Sequence, residues 1–261
     1  MRMQIRSCLG YFSQFGYNPT LKELHRYVGG KISRKAMESM VDEMVKKRRI
    51  IKLDCSDSTS RYTLGGYRID RKRLAERAVG RAGHSQKKIE KVHRYVSMLS
   101  CFGCIDLIGL SGSTSMMNAK KSDDIDLFII ARARRMWSAR AVALLLAQLL
   151  GVRRAYGQRK VRDKVCLNLF FDGSDLGVLE HKQCRYVAHE ALQMKPLAIR
   201  GDVYERYLQA NKWVFQYFPN AKGCISSLPK NAQKIAEKTD MASILMSGAD
   251  RVFGAIIEMV W

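Results

Sequence analysis

Four residues in the middle of the chain have the types and spacing to do chemistry on phosphates: Gly112, Ser113, Asp124 and Asp126. They lie in the stretch Leu107 to Ala131, LIGLSGSTSMMNAKKSDDIDLFIIA. An apolar run of strand length, Ile105 to Leu110, leads into the small-residue turn Ser111-Gly112-Ser113-Thr114-Ser115. A polar segment then ends at Ser122-Asp123-Asp124, and a second apolar strand runs from Ile125 to Ala131. On a strand, residues two apart share a face, with Cα atoms roughly 6.5–7 Å apart. Asp124 and Asp126 therefore project together, while Ile125 and Leu127 project into a core. Two carboxylates at that spacing repel unless a cation lies between them. They suit hard divalent ions, which bind through one or two carboxylates plus substrate phosphates. Upstream, Gly112 lets backbone approach an anion closely, and the amides around Ser113 and Thr114, at the start of a short helix, can donate to phosphate oxygens.

A Gly-Ser turn, a short spacer and Asp-aliphatic-Asp on a strand together resemble the signature of the DNA-polymerase-β-type nucleotidyltransferase superfamily. The match rests on Gly112, Ser113, Asp124 and Asp126 between two apolar strands. The resemblance implies that the Gly-Ser turn contacts a nucleoside triphosphate and that the two acids hold Mg²⁺. It implies two ions, which at about 3.5–4 Å apart hold both the attacking and the leaving oxygen. It also implies a third acid midway along the next strand, Lys164 to Phe171 (KVCLNLFF). Strand alternation puts Lys164, Cys166, Asn168, Phe170 and Asp172 on one face, and the position expected for the acid falls on Asn168. Asp172 is about 13 Å further along at ~3.3 Å per residue, so it is expected to miss the metals, and Glu180 is more remote still.

The elements around this stretch read as follows. Residues 2–15 carry a helical stripe at Ile5, Cys8, Leu9, Tyr11 and Phe12, broken by Gly16-Tyr17-Asn18-Pro19. Thr20 with Glu23 forms a capping box for a second helix, with Leu21, Leu24 and Val28 inward and Gly29-Gly30 at its end. Ser33 caps a third helix, with Ala36, Met40, Val41, Met44 and Val45 inward and Lys46 to Arg49 suiting its C-terminal dipole. Ile50 to Leu53 and Arg61 to Leu64 flank a polar turn and form a hairpin. This order resembles a winged helix-turn-helix domain. That resemblance implies either a protein-docking module or nucleic-acid contact, the latter by Arg34, Lys35, Glu38 and Ser39 on the third helix and by Arg61 on the wing.

Residues 66–100 read as basic helix with a break at Gly80 to Gly83. After the acids come a helix from about Trp137 to Leu150, the strand at Lys164, and a helix over 186–197 that stops before Pro196. His189 and Glu190 sit on that last helix and are expected to pack rather than react. A further helix spans 204–214, and a terminal helix is expected over Ala242 to Val260. The expected architecture is α+β: a winged-helix domain over 1–66, a basic helical connector over 67–84, a small mixed-sheet nucleotidyltransferase domain over 85–200, and a C-terminal helical region over 201–261. To about residue 220 this combination resembles uncharacterised bacterial nucleotidyltransferase-domain proteins with an N-terminal winged helix, a resemblance that supplies no substrate.

The formal net charge is +22 over 261 residues, from 46 Lys+Arg against 24 Asp+Glu. Such an excess concentrates polyanions and speeds their approach. Nucleic acid and nucleotide phosphates are the natural candidates, and the spread of the basic residues along the chain favours a long polyanion, DNA or RNA, over one small substrate. Seven cysteines without a secretory pattern fit free thiols in a reducing cytoplasm. Cys101-x-x-Cys104 lacks the further ligands a zinc site needs, and His84 and His93 have no metal partners nearby. The longest apolar run, Ala141 to Val152, falls short of the ~20 residues of a membrane span and reads as a helix buried on most sides. The expected function is Mg²⁺-dependent transfer of a nucleotidyl group from an NTP to an unidentified acceptor. The alternative is a nucleic-acid-binding regulator whose nucleotidyltransferase fold senses nucleotide without turnover.

Overall fold

A computed structural model describes residues 1–66, 69–155, 157, 160–224 and 232–234. Among these residues the fold is α+β, with two sheets, one of them mixed. The chain divides into two compact units, 1–84 with 184–192 and 213–228, and 85–183 with 193–212 and 229–261. The expected terminal helix, Ala242 to Val260, lies outside the described residues. Among the described residues no helix is long and apolar enough to cross a membrane.

The first unit begins with three helices, α1 (Arg2–Gln14), α2 (Leu21–Tyr27) and α3 (Arg34–Lys46), then the antiparallel hairpin of β1 (Ile50–Asp54) and β2 (Ser60–Leu64). The capping box at Thr20 forms as expected: the Thr20 amide donates to Glu23 Oε2 at 2.8 Å, and the Glu23 amide donates to Thr20 Oγ1 at 3.3 Å. The Ser33 hydroxyl likewise accepts from the Ala36 amide. On α3 Val41 and Met44 are buried as expected and Met40 and Val45 half-buried, while Ala36 is exposed and Met37 is buried in its stead.

Two later segments complete this unit, which the expected boundaries did not foresee. They are α7 (Arg185–Gln193), whose residues to 192 belong here, and α9 (Val214–Tyr217) with the 3₁₀ turn Pro219–Cys224. Asn220 shows what the return does: its side chain donates to Gly30 O at 2.8 Å and accepts from the Ile32 amide at 3.0 Å, fixing the α2–α3 loop. His189 packs, as expected. It is fully buried, stacked 3.9 Å from Tyr11 and 4.8 Å from Tyr27, with Phe218 edge-on at 4.4 Å.

The second unit is built on a five-stranded sheet of order β5-β4-β3-β6-β7. The central strands β3 (Ile105–Leu110) and β4 (Ile125–Ala131) are antiparallel, and β5 (Val165–Asp172) lies parallel to β4. On the other side β6 (Lys195–Ile199) is antiparallel to β3, and the short β7 (Gln233–Lys234) is parallel to β6. Strand β6 replaces the end of the expected 186–197 helix. Pro196 is tolerated inside it because the β3–β6 register slips there, Ile108 facing Ala198 but Gly109 facing Pro196, and a bulge needs no regular ladder donor. Helix α4 (Arg71–Ser100) passes unbroken through Gly80 and Gly83, against the expected break, and the unit boundary falls at 84/85 along it. Helical glycine costs only about 1 kcal/mol relative to alanine, which thirty residues of helix absorb. Residues 204–214 do not form one helix: α8 (Val203–Ala210) ends before α9 begins.

Apolar faces of α4 and of α6 (Met136–Leu149) cover the sheet, burying Val92, Val96 and Leu99 against Ile105, Ile108, Leu127 and Ile129. Tyr95 joins the helices by donating its hydroxyl to Ala143 O at 2.8 Å. Helix α6 is less enclosed than its composition suggests. Leu145 and Leu149 are 62% and 74% exposed, in an i, i+4 line with exposed Trp137 and Ala141.

Burial, with a smaller contribution from the charge of Arg185, lowers the His189 pKa from 6.5 to about 3. The folded protein therefore holds this imidazole neutral, and below pH 6.5 the unfolded chain binds the extra proton. Stability should fall as the pH drops through that window, by roughly 1.4 kcal/mol per pH unit, until the pH nears the folded pKa. His189→Phe should remove this component. Chemical denaturation at pH 6.5 and pH 5 measures it: the wild type should lose roughly 2 kcal/mol more than the variant, and equal losses would sink the assignment.

Candidate active site

The two acids converge with the glycine turn. Strand β3 delivers the chain to α5 (Gly112–Ser115), one turn of helix, and β4 begins immediately after Asp124. The Ser111 amide donates to Asp126 O at 3.0 Å, tying the turn to the strand that carries the acid. Gly112 has φ +59°, and a Cβ there would lie 2.5 Å from Asp126 Oδ2. Only glycine leaves that carboxylate its place. The first amides of α5 face away from any intrahelical acceptor, as at every helix start. The Ser113 hydroxyl has another task, since it donates to Asp123 Oδ2 at 3.3 Å. What Ser113 can offer a phosphate is its backbone N–H.

Lys88 sets the depth of this arrangement. Its side chain is 2% exposed, and its ammonium donates to Asp123 O at 2.5 Å and to Asp163 Oδ1 at 2.8 Å. The Asp163 amide donates to the same Asp123 carbonyl at 3.1 Å, and the Ile125 amide donates to Lys164 O at 2.8 Å. A buried ammonium is tolerated only when paired and hydrogen-bonded, so this cation requires the segments entering β4 and β5 to meet. Burial alone would raise the Asp163 carboxyl, but the hydrogen bonds from Lys88 and Lys91 outweigh it and hold that group below the usual carboxylate range. Ser85, a turn earlier on α4, accepts from the Ala119 amide at 3.0 Å and fixes the loop between α5 and β4.

The residue of β5 that faces the acids is Cys166, not Asn168. Asp126 pairs with Cys166 in the parallel ladder, and the register then shifts so that Phe128 pairs with Leu169. Val165, Cys166 and Leu167 are buried in succession while Asn168 is exposed, so the alternation assumed from the sequence fails at this point. One ligand atom each from Asp124, Asp126 and Cys166 lies within 4.8 Å of the others. Asp172 serves a loop, as its Oδ1 accepts from the Arg134 and Ser174 amides at 3.0 and 2.9 Å. Glu180 sits exposed on a 3₁₀ turn.

Charge in the cluster is unevenly held. Burial, the neighbouring Asp124 and, less strongly, Asp123 push the Asp126 carboxyl up, while a hydrogen bond from the Cys166 thiol and the charge of Arg154 oppose the rise. Burial and the two acids push the Cys166 thiol up to about 11, so it remains protonated at neutral pH and donates to Asp126. Arg154 forms an ion pair with Asp124 and also reaches Cys166 Sγ at 3.8 Å. Its guanidinium lies against the carboxylate that a cation would need. Sequence reasoning missed Arg154 because its loop carries no motif.

Two other expectations are corrected or settled here. Arg61 is not presented on a wing. It is 6% exposed, donates to Asn18 O at 3.1 Å and lies over the Tyr17 ring at 5.8 Å, so this guanidinium closes the α1–α2 turn onto β2. Cys101 is exposed and Cys104 is buried.

No family model, curated protein or solved structure matches this chain. The reading of the site therefore rests on its own geometry.

Gly112→Ala tests that geometry. The added methyl must displace Asp126 and also adopt a left-handed backbone, at a cost of about 1–2 kcal/mol. The variant should fold with a lower melting temperature and bind Mn²⁺ at least about tenfold more weakly, a loss of ~1.4 kcal/mol in affinity. Unchanged Mn²⁺ affinity would show that the turn does not shape the acid pair.

Proposed function

We propose that the protein transfers a nucleotidyl group from an NTP, with a divalent ion such as Mg²⁺ held by Asp124 and Asp126, on a site of the DNA-polymerase-β type. The observation that carries this reading is the meeting of the Gly112 turn with Asp126, beside Asp124 and Cys166. The donor set fits one divalent ion through two carboxylates, leaving room for phosphate oxygens and water to complete its shell. With a thiol in the third position, the described residues add no further carboxylate to this cluster for a second ion, and sulfur would draw softer ions. When bound, the ion would neutralise the triphosphate and lower the pKa of an acceptor hydroxyl.

The chain's own residues do the rest. Gly112 and the Ser113 amide admit and orient the phosphate chain. The Asp126 environment keeps water away from one side of the cluster. Lys88 and Ser85 hold the loops still, so that positioning and preorganised charge supply most of the catalysis. The same reading takes the three helices and hairpin of the first unit as a winged helix. Its α3 face presents Arg34, Lys35, Glu38 and Ser39 to solvent, where a nucleic-acid strand can reach them.

A second reading, a nucleotide-sensing regulator without turnover, is favoured by Cys166 standing where an acid is expected and by the Arg154 pair on Asp124. Two experiments separate them. Asp124→Ala with Asp126→Ala should abolish Mg²⁺-dependent nucleotide binding in calorimetry, and retained binding would remove the metal site from both readings. Cys166→Asp should raise pyrophosphate release roughly tenfold or more if the site turns over. No release from either protein across the four NTPs, together with oligonucleotide binding that weakens steeply with salt, would select the regulator.

A further inference from the structure

A cavity of about 430 Å³ opens beside the acid cluster, and Arg140, Arg153, Arg154, Cys166 and Asn168 contribute to its wall. Its volume suits a small ligand or one unit of a larger one. Three guanidinium-bearing residues line it, and the local fold explains why they meet. The Arg154 amide donates to Val165 O at 3.0 Å and the Val165 amide donates to Val152 O at 2.7 Å, so residues 152–154 run alongside the start of β5. Arg140 comes from α6 and is held 5.4 Å over the Phe170 ring.

The three cations differ in what balances them. Arg154 is paired with Asp124. Neither Arg140 nor Arg153 is ion-paired with a carboxylate among the described residues. Two forks with no carboxylate partner among the described residues and one that is shared with a site acid, in a concave wall, are the donor set for phosphate. Planar guanidinium matches phosphate oxygens two at a time.

We propose that this cavity binds a phosphate group of the acceptor, and that filling it draws Arg154 from Asp124 and so frees that carboxylate for the divalent ion. The proposal rests on the nucleotidyltransferase reading, and it specifies an acceptor that is itself phosphorylated. Arg154 can satisfy either the carboxylate or the incoming phosphate fully, but not both. Phosphate and metal therefore bind with positive linkage, each raising the affinity of the other by the same factor.

The phosphate can belong to a nucleic-acid strand or to a small phosphorylated metabolite, and the test separates these sources. Calorimetry in EDTA with ribose 5-phosphate, with a single-stranded hexaribonucleotide and with ribose reads the cavity without metal. At least one phosphorylated probe should bind, ribose should not, and Arg140→Ala with Arg153→Ala should weaken that probe by about tenfold or more. Both arginines are exposed, so the double variant should retain the wild-type melting curve. Equal affinity in wild type and variant, or no binding of either phosphorylated probe, would overturn the proposal.

Electron paramagnetic resonance of free Mn²⁺, referenced to a protein-free control with the same probe, then reads the linkage. Wild-type Mn²⁺ affinity should rise about five- to tenfold with the probe bound. Arg154→Ala should bind Mn²⁺ more tightly without the probe and show no further rise. Mn²⁺ binding that ignores the probe would overturn the inference and leave the proposed function standing. A wild type that binds the probe but never Mn²⁺ would overturn the proposed function and the linkage together.

Discussion

A buried ammonium governs the second unit. Lys88 can be accommodated inside it only because Asp163 and the Asp123 carbonyl meet it there. The backbone on either side of those two partners continues directly into β4 and β5. Satisfying one cation therefore fixes where two parallel strands begin, and through them where Asp124, Asp126 and Cys166 converge. Removing the lysine would leave Asp163 to Lys91 and Arg162 alone and take from the Asp123 carbonyl its ammonium donor, loosening the junction of the two strands. The same helix supplies the apolar face that covers the sheet, so core and site share one element.

The acid cluster is a compromise between repulsion and packing. Asp126 is held close to Asp124 in a poorly hydrated position, which a bare pair of carboxylates would resist. Three features offset this: the thiol that donates to Asp126, the guanidinium on Asp124, and the absence of a side chain at Gly112. Each is provided by a different element. On the proposed reading, a divalent ion would take over the neutralising role of the guanidinium, and the cluster would then have two electrostatically balanced states.

Local signals were legible in the sequence and long-range ones were not. Thr20 and Glu23 cap α2 through atoms three residues apart, and the period of two puts Asp124 beside Asp126, so both could be read directly. The bulge in β5 is set by pairing with β4, and it moves Asn168 outward and leaves Cys166 with the acids. Strand β6 is short, contains Pro196 and exists because β3 offers it an edge. Arg61 turns inward because Tyr17 and the Asn18 carbonyl wait for it across the unit. Lys88 read as one cation in a basic run, since nothing in its neighbours announces Asp163, seventy-five residues on.

The outward line of Trp137, Ala141, Leu145 and Leu149 on α6 sits on a chain whose formal charge is +22. Copies of such a molecule repel one another over distances set by ionic strength, and that range shrinks to about 8 Å at 0.15 M salt. Colloidal behaviour should follow from this contest. In dilute buffer mutual repulsion keeps these oily strips apart, and concentrated salt removes the protection while strengthening the attraction between them, so added electrolyte should drive this protein out of solution.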